Sequence, residues 1–118
     1  MTIVPLQTYL KMYRKRTGFT HDELAFLLGS MRGTSVARHE GGKSLPKLRT
    51  ALMYEAIFGA CVRELYRGVF ADAQELVRIR ARGMLAYFEK KPRSAKNDNK
   101  IGILKTIITD EERHNIAR

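Results

Sequence analysis

Helical periodicity dominates the chain as far as residue 91. Leu6, Leu10 and Tyr13 predict a first helix over residues 5–16, with Pro5 suited to its first turn and Thr17-Gly18 at its end. Thr20 reads as an N-cap, and Glu23 completes a capping box. Leu24, Ala25 and Leu28 form the apolar face of this second helix, which Gly29 stops. After a turn at residues 30–33, Thr34 to Glu40 reads as a third short helix anchored by Val36 and ended by Gly41-Gly42. A fourth opens at Ser44-Leu45-Pro46, carries Leu48, Ala51, Leu52 and Phe58, and breaks at Gly59. Val62, Leu65 and Tyr66 make a fifth, ending near Gly68. A longer sixth helix over residues 71–90 spreads Leu76, Val77, Ile79, Met84, Leu85, Tyr87 and Phe88 over more than one face. A helix apolar on two sides needs two partners. One is the five-helix unit, and the other is a second copy of the chain; alternatively the helix wraps the same core.

The fold class is therefore all-α. Residues 1–70 are the folded unit, just long enough for a small core of Leu10, Leu24, Ala25, Leu28, Val36, Leu52, Phe58 and Leu65. Residues 71–91 are a C-terminal helix with Leu76, Ile79, Met84, Leu85 and Phe88 as dimerisation candidates. Residues 92–118 read as a polar linker (92–100) and a docking arm: apolar Ile101 to Ile108, then a capping signal at Thr109-Asp110-Glu111-Glu112.

Composition narrows the function. The chain has 118 residues and 44% hydrophobic side chains, which excludes wholesale disorder. No apolar run approaches ~18 residues, so no membrane-spanning helix is expected. The N-terminus lacks the basic and apolar regions of a secretory signal, and the single cysteine, Cys61, forms no internal disulfide; a cytoplasmic location is the default. Lys and Arg number 22 against 12 Asp and Glu, a net charge of +10. Such a chain is drawn to DNA, RNA or an anionic surface.

Catalysis is not expected. His21, His39 and His114 are far apart in sequence, none has metal-ligand spacing with Cys61, and no glycine-rich phosphate loop follows a strand. Neither metal nor cofactor is implied. The chemistry lies instead in the second and third helices, two short helices joined by a glycine-containing turn, which is a helix-turn-helix pattern. A short third helix, polar outside, can enter a major groove about 12 Å wide.

The ordered residues Leu10, Arg14, Gly18-Phe19-Thr20-His21-Asp22-Glu23-Leu24-Ala25, Leu28-Gly29, Val36-Ala37-Arg38-His39-Glu40-Gly41-Gly42-Lys43 and Pro46 resemble the Xre/Cro-type, lambda-repressor-like helix-turn-helix family. The resemblance continues through Phe58-Gly59 and Val62 to Tyr66 and covers residues 6–70. It implies a five-helix domain that binds double-stranded DNA, as a homodimer on a pseudo-palindromic operator, in a bacterial or phage transcriptional regulator or repressor. It assigns DNA contacts to His21, Arg32, Gly33, Thr34, Ser35, Ala37, Arg38, Lys43, Ser44 and Lys47, and a structural ion pair to Arg14 and Glu40. The turn before the third helix is one residue longer than the family's, with Gly33 inside it. Glu55 replaces a small apolar residue, through an ion pair to a nearby arginine or a shifted register. The same family includes antitoxins and adaptors, so a protein partner held by the C-terminal helix and tail is the alternative. RNA binding fits the charge but lacks a platform of paired aromatics on a sheet.

Overall fold

The computed structural model describes residues 8–29 and 32–109. Among these, seven helices and no strand are formed: α1 (Leu10–Thr17), α2 (His21–Leu28), α3 (Gly33–Glu40), α4 (Leu48–Phe58), α5 (Val62–Leu65), α6 (Arg67–Glu89) and α7 (Ala95–Thr109). The chain divides into two compact units, residues 1–71 and 72–118. No helix among the described residues is long and apolar enough to cross a membrane.

The first unit closes around Leu10, Leu24, Ala25, Leu28, Val36, Tyr54, Leu65 and Tyr66. Local chemistry sets its helix ends. Thr20 Oγ1 accepts from Glu23 N at 3.1 Å, and Glu23 Oε1 accepts from Thr20 N at 2.9 Å, so a full capping box starts α2. Gly59, at φ +71, ends α4 in the left-handed region open to glycine. α3 packs on α2 and α1, and α4 on α2 and α5. Tyr9 N donates to Leu65 O at 2.8 Å, and Tyr13 Oη to Glu64 Oε2 at 3.0 Å, tying the start of the unit to α5.

Several boundaries differ from the sequence reading. The described first helix starts at Leu10, with Thr8 and Tyr9 outside it, while residues 5–7 lie outside the described residues. α4 begins at Leu48, after Lys47 in extended conformation, rather than at residues 44–46. Its buried face is Ala51 and Tyr54; Leu52, expected in the core, is exposed, and Leu48 is 73% exposed. The Tyr54 ring stacks on Phe58 at 6.2 Å and takes the inward position, which turns Leu48 and Leu52 out. Gly68 ends nothing: α5 is a single turn, Tyr66 breaks it, and α6 starts at Arg67. Glu55 forms no arginine pair among the described residues. Its Oε1 accepts from Val62 N at 2.8 Å, satisfying a free donor at the start of α5.

In the second unit the expected linker is largely helix. The turn formers at residues 92–98 are end-capping chemistry: Ser94 Oγ accepts from Asn97 N at 3.1 Å, and Arg93 Nε donates to Asp98 Oδ1 at 2.8 Å. The apolar segment 101–108 lies within α7, with Leu104 buried. The capping signal beginning at Thr109 runs into residues 110–118, outside the described residues. On α6, Leu76, Ile79 and Met84 are exposed. Leu85 and Phe88, expected beside them in a dimer contact, are half-buried, across the helix from Leu76 and Ile79. There Lys100 Nζ sits 5.0 Å from the Phe88 ring centre, and Phe88 and Ile101 line one cavity of about 450 Å³. Residues 85 and 88 continue the row of Arg78 and Ala81, across the helix from Leu76 and Ile79, while Met84 lies one turn before Phe88 and between the two sets.

Candidate nucleic-acid interface

α3 carries Val36 and His39 on its buried side. Thr34, Ala37 and Arg38 are exposed, Ser35 is half-buried, and Arg32 is exposed at the N-cap. The loop that follows exposes Lys43 and Lys47, with Ser44 half-buried; Arg49, which the sequence reading did not single out, is exposed two residues on. Arg32, Arg38, Lys43, Lys47 and Arg49 make no ion pair among the described residues, so their charge faces solvent.

Three contacts hold this surface rigid. Arg14 Nε and Nη2 donate to the two Glu40 carboxylate oxygens, the second at 3.2 Å, and Arg14 Nη1 donates to Phe19 O at 3.1 Å. His21 Nε2 lies 3.0 Å from Glu40 Oε1, and Thr8 Oγ1 donates to the Glu40 backbone oxygen at 3.0 Å. The end of α3 is therefore tied to α1, to the start of α2 and to the segment before α1. Burial alone pushes the Glu40 carboxyl up, but hydrogen bonds and charge from Arg14 and His21 outweigh it and hold the group below its ordinary value.

A second contact lies beneath the helix. His39 Nδ1 is 2.9 Å from Tyr54 Oη, and the rings meet edge to face. Burial lowers the His39 pKa and raises that of Tyr54, so the pair is neutral at pH 7. Sequence reading placed no role on either residue. The spacing Val36–His39 is the signal, since both fall on one helical face.

The third is a close approach. Gly33 is buried against the start of α2. A Cβ there would collide with the Asp22 carboxylate, 3.1 Å from His21 Cβ and 3.2 Å from Asp22 N.

One assigned DNA contact is thereby revised. Gly33 is covered by α2 and offers no surface; its role is to let α3 approach. His21 engages Glu40 alongside Arg14 through Nε2 and keeps part of its ring at the surface. Arg32, Thr34, Ala37, Arg38, Lys43 and Lys47 remain on the surface, with Ser35 and Ser44 partly so.

No group of three or more His, Cys, Asp or Glu that could hold a metal occurs among the described residues. Cys61 is half-buried at the start of α5. No protein family, curated protein or solved structure matches the chain.

Proposed function

We propose that the chain binds double-stranded DNA through a lambda-repressor-like helix-turn-helix, with α2 and α3 as its two helices and α3 in the major groove. One observation carries this reading. α3 turns Thr34, Ala37 and Arg38 outward while Val36, His39 and the Arg14–Glu40 pair fix it from behind. Such a helix can present hydrogen-bonding groups to base edges without moving when it binds. Arg38 reaches a base or a phosphate, and Arg32 flanks it. Lys43 and Lys47 follow as phosphate contacts that set register. A helix of this length reads few base pairs, so a homodimer on two half-sites about 34–36 Å apart is the working form, that of a transcriptional regulator acting in the cytoplasm. No catalytic role is proposed.

Selection of bound sequences from a random duplex library tests the reading and reveals any two-fold symmetry. Arg38→Ala should then cost about 1–3 kcal/mol at one operator position if it contacts a base, or weaken all sequences equally if it contacts phosphate. Unchanged affinity removes α3 from the interface.

The alternative of a protein-binding adaptor has its own support in the first unit. Phe26, 84% exposed on α2, and Leu27, Leu48 and Leu52 place apolar surface in solvent. Absence of duplex binding at low salt would favour it.

A further inference from the structure

The face of α6 opposite Arg78, Ala81, Leu85 and Phe88 is complementary to itself. Asp72, Leu76, Ile79, Gly83 and Ala86, with Lys90 in the turn just past the helix, follow at steps of four, three, four, three and four and form one ridge. All six are exposed. The steps read the same from either end. Rotating a second copy end over end about residue 81 therefore sets Asp72 against the partner's Lys90, Leu76 against the partner's Ala86, and Ile79 against the partner's Gly83. Each contact occurs twice, as a two-fold interface requires. Acid meets base at both ends, and each branched side chain meets a small residue or bare backbone, the large-to-small alternation that lets helices interdigitate.

We propose that two copies of the chain associate through this ridge with their α6 helices antiparallel. A parallel pair would stack Asp72 on Asp72, Lys90 on Lys90 and Ile79 on Ile79, and leave a gap at Gly83. The second unit also supplies the need. Its buried apolar residues among those described are Ala81 and Leu104, while Leu76 and Ile79 of the ridge stand in solvent. A two-helix hairpin with so little interior gains apolar burial when a partner covers Leu76 and Ile79. This deepens the dimeric part of the reading above and rests on it. Its test uses no DNA, so its failure is distinct from failure of α3 to read a duplex.

The full chain should sediment at twice its 13.5 kDa mass. A Cβ at Gly83 meets nothing within 4 Å in one chain, and leucine is the better helix former, so Gly83→Leu keeps its helix by circular dichroism. It collides with the partner's Ile79 and should raise the dimer dissociation constant about a hundredfold. Orientation is read in a Cys61→Ser background by mixing an Ile79→Cys chain with a mass-tagged Gly83→Cys chain. Oxidation should join position 79 to position 83 in preference to 79–79 or 83–83. A monomeric parent chain, a dimer indifferent to Gly83→Leu, or same-position cross-links would overturn the proposal.

Discussion

Each unit holds an arginine against a carboxylate by two hydrogen bonds, but in opposite surroundings. The Arg14 and Glu40 side chains are 12% and 4% exposed, and those of Arg93 and Asp98 are 86% and 43% exposed. The first pair also binds His21 and the Phe19 carbonyl and so joins α1, α2 and α3. The second spans five residues at the start of one helix. The contrast extends to the apolar residues. Those of the first unit converge on Leu10, Leu24, Val36, Tyr54 and Leu65, all fully buried, while most of those on α6 face outward. Identical chemistry thus works as architecture where water is excluded and as local capping where it is not.

Cutting the buried lock should give the largest effect. Glu40→Ala leaves the Arg14 guanidinium buried without its anion and should cost about 3–5 kcal/mol in urea unfolding. Changing Arg14 and Glu40 together should cost less than the sum of the single changes. Additive losses would mean that the two groups do not share one network.

A smaller loss is expected from closing the gap under α3. The Asp22 carboxylate can swing away from a methyl group at Gly33, but His21 Cβ and the Asp22 backbone cannot. Gly33→Ala should therefore cost about 1–3 kcal/mol. On the proposed reading it should also weaken duplex binding, because α3 must shift to accommodate it. An unchanged midpoint would mean that the approach is not tight in solution.

Acid tests the same unit more gently. His39 titrates below its ordinary value of 6.5 in the folded chain because burial disfavours its charged form. The unfolded chain therefore binds this proton first as pH falls. Stability from His39 is complete above pH 6.5 and is lost as pH drops from there through the lowered folded value. Glu40, also lowered, adds its loss only at more acid pH, beneath the ordinary 4.5. Unfolding followed from pH 7.5 to 5 should show the first slope, and His39→Leu should abolish it whatever that change does to absolute stability. A slope that survives belongs to another group.

Much of the first unit was legible in its residues. The capping box at Thr20 and Glu23, the inward anchor Val36 and the stops at Gly29 and Gly59 are local signals, and local physics sets them. What escaped depends on tertiary competition. Leu52 and Tyr54 both suit the core of α4, and only packing against Phe58 and His39 chooses the tyrosine. Gly33 read as a turn residue near DNA because nothing in its neighbours reveals that Asp22 lies beneath it. His21 looked free because its partner, Glu40, is distant in sequence. In the second unit the opposite error occurred. Composition made residues 92–100 look like linker, although Ser94, Asn97 and Asp98 are residues that start a helix. The outward residues of α3 were legible because polar and apolar positions alternate around so short a helix.

The exposed pair provides the smallest expected effect and the sharpest control. Arg93→Ala removes both hydrogen bonds to Asp98. Water replaces them, since the guanidinium is open to solvent, and salt already screens the attraction. Ser94 still caps α7 through Asn97 N, so the helix keeps its start. The urea midpoint should not move measurably, in low salt or high, whereas Glu40→Ala should be strongly destabilising in both. A loss from Arg93→Ala that rivals the Glu40→Ala loss would show the turn between α6 and α7 to be as cooperative as the first unit, and the distinction between buried architecture and exposed capping would no longer describe this molecule.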